Sequence, residues 1–152
     1  MAEIQSEQEP TKGKSLQREE RDALLVTEET TPFDELDEEI KLALHSASEK
    51  KAFDLTALDL RGIASFADFF IIAGGANTRQ VQAISDEINE QLKKQLKTQA
   101  LRIEGYNSGE WILLDYGDFI VHIFEEKARE FYDLERLWRD AKRVNLPEEM
   151  RG

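Results

Sequence analysis

Phe69-Phe70-Ile71-Ile72-Ala73 carries no polar side chain, and it runs straight into Gly74-Gly75-Ala76-Asn77 and then into a helix-period pattern. A run of that length suits a strand, and because successive strand residues point to opposite faces, an unbroken apolar strand needs cover on both. The chain is thereby committed to a sheet with this strand inside it. The following residues supply one cover. Asn77 or Thr78 caps a helix whose Val81, Ile84, Ile88, Leu92 and Leu96 recur at three- and four-residue intervals, the stripe of a helix lying on a sheet.

The remaining elements are read around that centre. Thr31-Pro32 offers a cap and a permitted first-turn proline, and Asp34, Glu35, Asp37, Glu38 and Glu39 sit where a helix dipole favours acid. A first helix is therefore expected from about Asp34 to Lys50, with Leu36, Ile40, Ala43, Leu44 and Ala47 inward and His45 beside them. Strands are expected near Asp54–Leu60, Phe69–Ala73, Leu101–Glu104, Trp111–Asp115 and Phe119–Phe124, the last two forming a hairpin across Tyr116-Gly117. A last helix is expected over Asp133–Arg143, with Leu134, Leu137, Trp138 and Ala141 inward. The order α-β-β-α-β-β-β-α describes an α/β (mixed α+β) single domain, a mixed five-stranded sheet flanked by helices.

Charge divides the chain. The net charge is −12, and residues 1–40 hold 13 acidic against 4 basic side chains. Residues 1–31, rich in Glu, Gln, Lys, Ser and Thr, cannot bury enough apolar area to offset their ordering entropy and read as a disordered acidic extension; Leu24-Leu25-Val26 is an isolated apolar triplet within it. The folded domain is expected over 32–145 and a flexible tail over 146–152. Nucleic-acid affinity comes chiefly from Lys and Arg neutralising phosphates, so the acidic balance argues against RNA or DNA as the main binding surface and towards a protein. Cysteine is absent, which removes disulfides, thiolate metal sites and thiol nucleophiles. With no signal-like start and no apolar run near the ~20 residues of a membrane span, a soluble cytoplasmic protein without a membrane partner is expected.

Three constellations invite chemistry. Gly74-Gly75-Ala76-Asn77-Thr78, between a buried strand and a helix, is placed for an anion, yet it lacks the lysine of a P-loop and the third glycine of a dinucleotide fingerprint. Asp115 and Asp118 are three apart across a turn, a spacing that does not put two metal ligands on one strand face and that suits local backbone capping. His122 aligns with Ile120 and Phe124 on one strand face, and no Ser, Cys or second His accompanies it in a triad arrangement; it is a hydrogen-bonded core histidine or part of a recognition face. No catalytic set, metal site or cofactor is expected. The aromatics Tyr106, Trp111, Tyr116, Phe119, Phe131, Tyr132 and Trp138 are more than a domain this small buries completely, so some should face a partner.

The run Gly105-Tyr106-Asn107-Ser108-Gly109-Glu110-Trp111-Ile112-Leu113-Leu114-Asp115-Tyr116-Gly117-Asp118, then Val121-His122-Ile123-Phe124, then Ala128 through Trp138, resembles the hallmark sequence of the ribosomal silencing factor (Iojap-like) family. Asp68-Phe69-Phe70 and Arg79-Gln80-Val81 match as well, and the likeness covers roughly residues 35 to 143. It implies a mixed α/β domain of nucleotidyltransferase-like architecture without the active site: no Gly-Ser turn opens the helix, and Leu101-Arg102-Ile103-Glu104 lacks an acidic pair one residue apart. It also implies a non-enzymatic protein, sometimes a homodimer when free, that binds the large ribosomal subunit through its ribosomal protein number fourteen and excludes the small subunit under nutrient limitation. A ribosome-assembly adaptor on the same surface is the alternative, and a nucleotidyltransferase-like enzyme a more distant one. Carried onto matching positions, the partner-binding residues are Asp68, Glu110, Trp111, Asp115, Tyr116, Asp118, His122, Arg129, Tyr132 and Glu135.

Overall fold

The computed structural model describes residues 30–151. The expected extension over 1–31, with its apolar triplet, therefore lies almost wholly outside the described residues.

Seven strands, not the five expected, form one mixed sheet in the order β1-β7-β2-β3-β6-β5-β4, because two short segments without an apolar pattern, Thr30–Pro32 and Lys142–Asn145, extend it beyond β2. They are β1 (Thr30–Pro32), β2 (Phe53–Asp59), β3 (Phe69–Gly75), β4 (Arg102–Glu104), β5 (Trp111–Asp115), β6 (Phe119–Glu125) and β7 (Lys142–Asn145). The apolar run is central, as its composition requires: β3 is buried at every residue, with β2 antiparallel on one side and β6 parallel on the other. The strand extends through Gly74-Gly75, which were expected in a loop. A Cβ on Gly75 would stand 2.9 Å from Val81 Cγ2 and 3.0 Å from its backbone nitrogen, so the bare backbone lets the following helix close onto the strand end.

Two long helices, α1 (Glu38–Glu49) and α2 (Thr78–Leu96), cover one face. Their expected stripes face inward: Ile40, Ala43, Leu44, Ala47, Val81, Ile84, Ile88 and Leu92 are buried in one cluster with Leu36 and the strand residues Ile71, Ile112, Leu114, Val121 and Ile123. Full burial of such side chains stabilises by about 1.5–3 kcal/mol each, before the ordering cost. Asn77 caps α2 by accepting from Gln80 N at 2.9 Å, while Gln80 Oε1 accepts from Ala76 N at 2.7 Å. α1 begins later than expected. Phe33–Glu35 is a 3₁₀ turn, Asp37 precedes the helix, and Thr31-Pro32 belongs to the edge strand β1.

β1 is anchored by polar contacts. Thr31 Oγ1 donates to Asp59 Oδ2 at 2.6 Å, and the Arg61 guanidinium grips the same carboxylate at 2.7 and 2.9 Å. Burial pushes the Asp59 carboxyl up, but the hydrogen bonds from Arg61 and Thr31 outweigh it and hold the group below the usual carboxylate range.

The C-terminal third departs most from expectation. Of the helix expected over Asp133–Arg143 only one turn forms, α4 (Leu134–Leu137), preceded by the short α3 (Glu126–Tyr132) and followed by β7 antiparallel to β2. Asp133 separates the helices with a left-handed φ of 41°. Leu134 is buried as expected, but Leu137, expected inward, is 73% exposed. Leu146 and Met150, expected in a flexible tail, are buried in the helix-side core, so the chain beyond residue 145 packs on the domain.

Candidate functional site: the aromatic sheet face

The second sheet face lacks long helices. Strand alternation puts Trp111, Leu113 and Asp115 of β5 and Ile120, His122 and Phe124 of β6 on it, and the parallel register sets Phe70 beside Ile120 and Ile72 beside His122. The segment 61–67 and the short helices α3 and α4 cover this face only in part.

What results is a continuous line of rings. Phe66 lies 5.9 Å from Trp138, Trp138 is 5.8 Å from Phe70, and Phe70 meets His122 edge-on at 4.6 Å. Trp111 continues it, 5.8 Å from His122, 4.9 Å from Phe124 and 4.6 Å from Tyr132, and Tyr132 contacts Phe131 at 5.0 Å. The two ends of the line are open to solvent: Phe66 is 55%, Tyr132 46% and Phe131 80% exposed. Leu137 and Ile63 add further exposed apolar surface on neighbouring segments. Exposed large apolar side chains at both ends of one face make it the candidate site of the molecule.

His122 sits at the centre of the line and is buried. Its Nδ1 accepts from Trp111 Nε1 at 3.1 Å, which places the ring proton on Nε2, an atom with no partner among the described residues. Burial pushes the imidazole down to about 4, and protonating Nδ1 would turn two donors against each other. Because the folded value lies below the ordinary one, the neutral ring contributes stability that is fully present above pH 6.5 and is lost as pH falls towards 4. Unfolding in urea at pH 7.5 and 5.5 should show a loss of about 1 kcal/mol from this group, absent in His122→Phe. Equal pH dependence in the two proteins would remove His122 as its source.

The ten residues carried over from sequence separate into groups. Trp111, His122 and Tyr132 meet in the ring line. Arg129 and Glu135 pair at 2.5 Å where α3 meets α4. Asp68 and Asp118 are exposed neighbours at one end of the sheet, joined by Asp68 N donating to the Asp118 carbonyl at 2.7 Å. Asp115 lies nearby; its Oδ1 accepts from Gly117 N at 2.9 Å, the local capping expected of a hairpin aspartate, and Oδ2 is 3.5 Å from Arg102. Glu110 is exposed at the opposite end, beside Trp111. Tyr116 stands apart from the set: it lies on the helix side of the sheet, stacks on Phe119 at 4.9 Å and donates its hydroxyl to Asn89 of α2. Burial raises its phenol above the ordinary tyrosine range.

Sequence reasoning placed Phe131 and Trp138 among candidate aromatics but passed over Phe66 and Ile63. Their signal was two large apolar residues inside the irregular segment Arg61–Asp68, where no core periodicity calls for them. Among the described residues, no three His, Asp or Glu side chains converge to hold a metal ion, and no helix is long and apolar enough to cross a membrane.

The family profile described as "Ribosomal silencing factor during starvation" matches residues 33–151. The protein named ribosomal silencing factor RsfS in Halalkalibacterium halodurans is 41% identical over 107 residues, covering 70% of this chain and 91% of the relative. Its namesake in Bacillus subtilis is 40% identical over 107 residues, 70% of this chain and 90% of the relative. A crystal structure of a Chromobacterium violaceum protein superposes with a TM-score of 0.65 at 33% identity, covering 73% of this chain and 88% of that one.

Proposed function

We propose, from the premise that this chain belongs to the ribosomal silencing factor family, that it docks on the large ribosomal subunit through ribosomal protein number fourteen. Seated there it keeps the small subunit from joining by steric exclusion and represses translation when nutrients are limiting. The observation that carries the reading is the line of rings from Phe66 to Phe131, open at both ends and rimmed by Asp68, Asp118 and Glu110. Trp and Tyr supply large contact area with a polar handle and dominate interface energetics, while an acidic rim speeds encounter with a basic protein and disfavours wrong partners. Trp111, Tyr132 and Phe131 form the apolar centre of the contact, and the carboxylates its steering edge.

On this reading the chain acts in the cytoplasm as a binding protein, without cofactor or reaction. A nucleotidyltransferase-like architecture is compatible with the mixed sheet, but the turn into α2 offers Ala76 and Asn77 in place of a serine, and β4 carries Arg102 and Glu104 in place of an acidic pair. A homodimer of the free protein would use the same exposed rings, so ribosome and second copy would compete for one surface.

The test is a sucrose-gradient joining assay with purified subunits at a stated magnesium concentration. The protein should co-sediment with the large subunit and lower the yield of joined ribosomes in proportion to its occupancy. Co-sedimentation with undiminished joining would replace silencing with an assembly-adaptor role on the same surface; absence from the large-subunit fraction would overturn the proposal.

A further inference from the structure

Between strands β2 and β7 and the short helices lies a cleft of about 470 Å³ that brings Arg129, Arg143 and Arg151 together with Asp54 and Glu135. Three guanidinium groups in one cleft stand out in a chain of net charge −12. Arg129 is the unusual member. It is only 9% exposed; its Nη2 is spent on Glu135 at 2.5 Å, and its Nη1 is buried with no hydrogen-bond partner among the described residues. A buried charged donor without an acceptor carries an uncompensated desolvation cost, and the neighbouring carboxylate leaves that nitrogen unsatisfied.

The other two arginines are held differently. Arg151 donates Nε to the Leu146 carbonyl at 2.9 Å and Nη2 to Asn145 Oδ1 at 2.6 Å, so its position is set by the packed C-terminal segment. Arg143 is exposed on β7, where Leu58 is its strand partner, and Leu58 in turn opposes Phe70 of the aromatic face. Glu135 is already bonded to Arg129, which leaves Asp54 as the one further carboxylate lining a space with two more guanidinium groups. The local charge is positive where the whole chain is acidic.

We propose that this cleft binds a phosphate-bearing anion, with the exposed Arg143 and Arg151 guanidinium groups as its donors and the buried Arg129 guanidinium as a fixed positive charge in its wall. Planar guanidinium forks match phosphate oxygens, and a tetrahedral anion offers acceptors to several forks at once, where a carboxylate offers two oxygens. A volume of about 470 Å³ admits a diphosphate or one nucleotide unit of a strand. The inference stands apart from the ribosomal reading, because it rests on the cleft alone.

The experiment is calorimetric titration of the full chain with pyrophosphate at low ionic strength, against sodium chloride of matched ionic strength as blank. Saturable binding of one pyrophosphate per chain is expected, about tenfold weaker in Arg143→Ala and partly restored in Arg143→Lys. Arg143 and Arg151 are both exposed, and circular dichroism checks that their variants fold. A short 5′-phosphorylated RNA that binds and is displaced by pyrophosphate identifies a strand phosphate as the source; pyrophosphate binding without RNA binding identifies a free anion. No saturable heat with pyrophosphate, or an affinity unchanged in both Arg143→Ala and Arg151→Ala, overturns the proposal.

Discussion

Gly105→Ala is expected to lower the stability of the domain by about 3 kcal/mol or more, roughly 10 °C in Tm, although residue 105 is exposed. Gly105 holds φ +81°, and a Cβ built there would stand 2.1 Å from the Trp111 carbonyl oxygen. The left-handed conformation alone costs an alanine about 1–2 kcal/mol. The clash is worse, because its partner is backbone and cannot rotate away. Either the Gly105–Gly109 turn opens, losing the Gly109 N to Gly105 carbonyl bond of 3.0 Å, or β5 shifts at Trp111. Gly62→Ala separates the two contributions: Gly62 has φ +88° with nothing within 4 Å of an added Cβ, so it should cost about 1 kcal/mol. Similar Tm losses in the two variants would show that the contact with Trp111 is relieved without penalty.

What the sequence made legible follows from which forces leave a local trace. β3 and α2 announce themselves because their apolar residues recur at the period of the element, and the core is built by those residues. β7 does not. Of Lys142, Arg143, Val144 and Asn145 only Val144 is apolar, and the strand exists through backbone pairing to β2, which no side-chain pattern reports. The expected final helix failed for the converse reason. Leu134, Leu137, Trp138 and Ala141 have helical spacing, but the helix stops at Leu137, whose side chain turns outward, and Lys142–Asn145 pairs with β2 as a strand.

The site was legible by residue type and less so by geometry. Trp111, His122 and Tyr132 were named together and meet in one line of rings. Tyr116, of the same chemical type, has the opposite orientation because Asn89 of α2, 27 residues away, accepts its hydroxyl hydrogen bond. The Arg129 to Glu135 pair spans six residues, a spacing that is not a helix-surface neighbour; it forms because the chain breaks between α3 and α4. That pair, formed across the break, lines the arginine cleft.

Trp111→Ala is expected to abolish silencing in the joining assay, with large-subunit affinity reduced at least about 30-fold. Trp111 is half-buried and touches both halves of the face: its ring packs on Phe124 and Tyr132, and its N–H fixes the His122 ring. Removing it takes away contact area and releases both neighbours, so the loss should exceed that from the more exposed Phe131. Some destabilisation will accompany it, and the urea midpoint of the free protein must be measured beside the binding. Trp111→Phe divides the effect. It keeps an aromatic ring against Tyr132 and Phe124 but leaves His122 Nδ1 without its donor, so binding should fall less while the pH dependence of stability changes. If Trp111→Ala remains folded and still blocks joining, the partner docks elsewhere, and the ring line is a covering for this sheet face only.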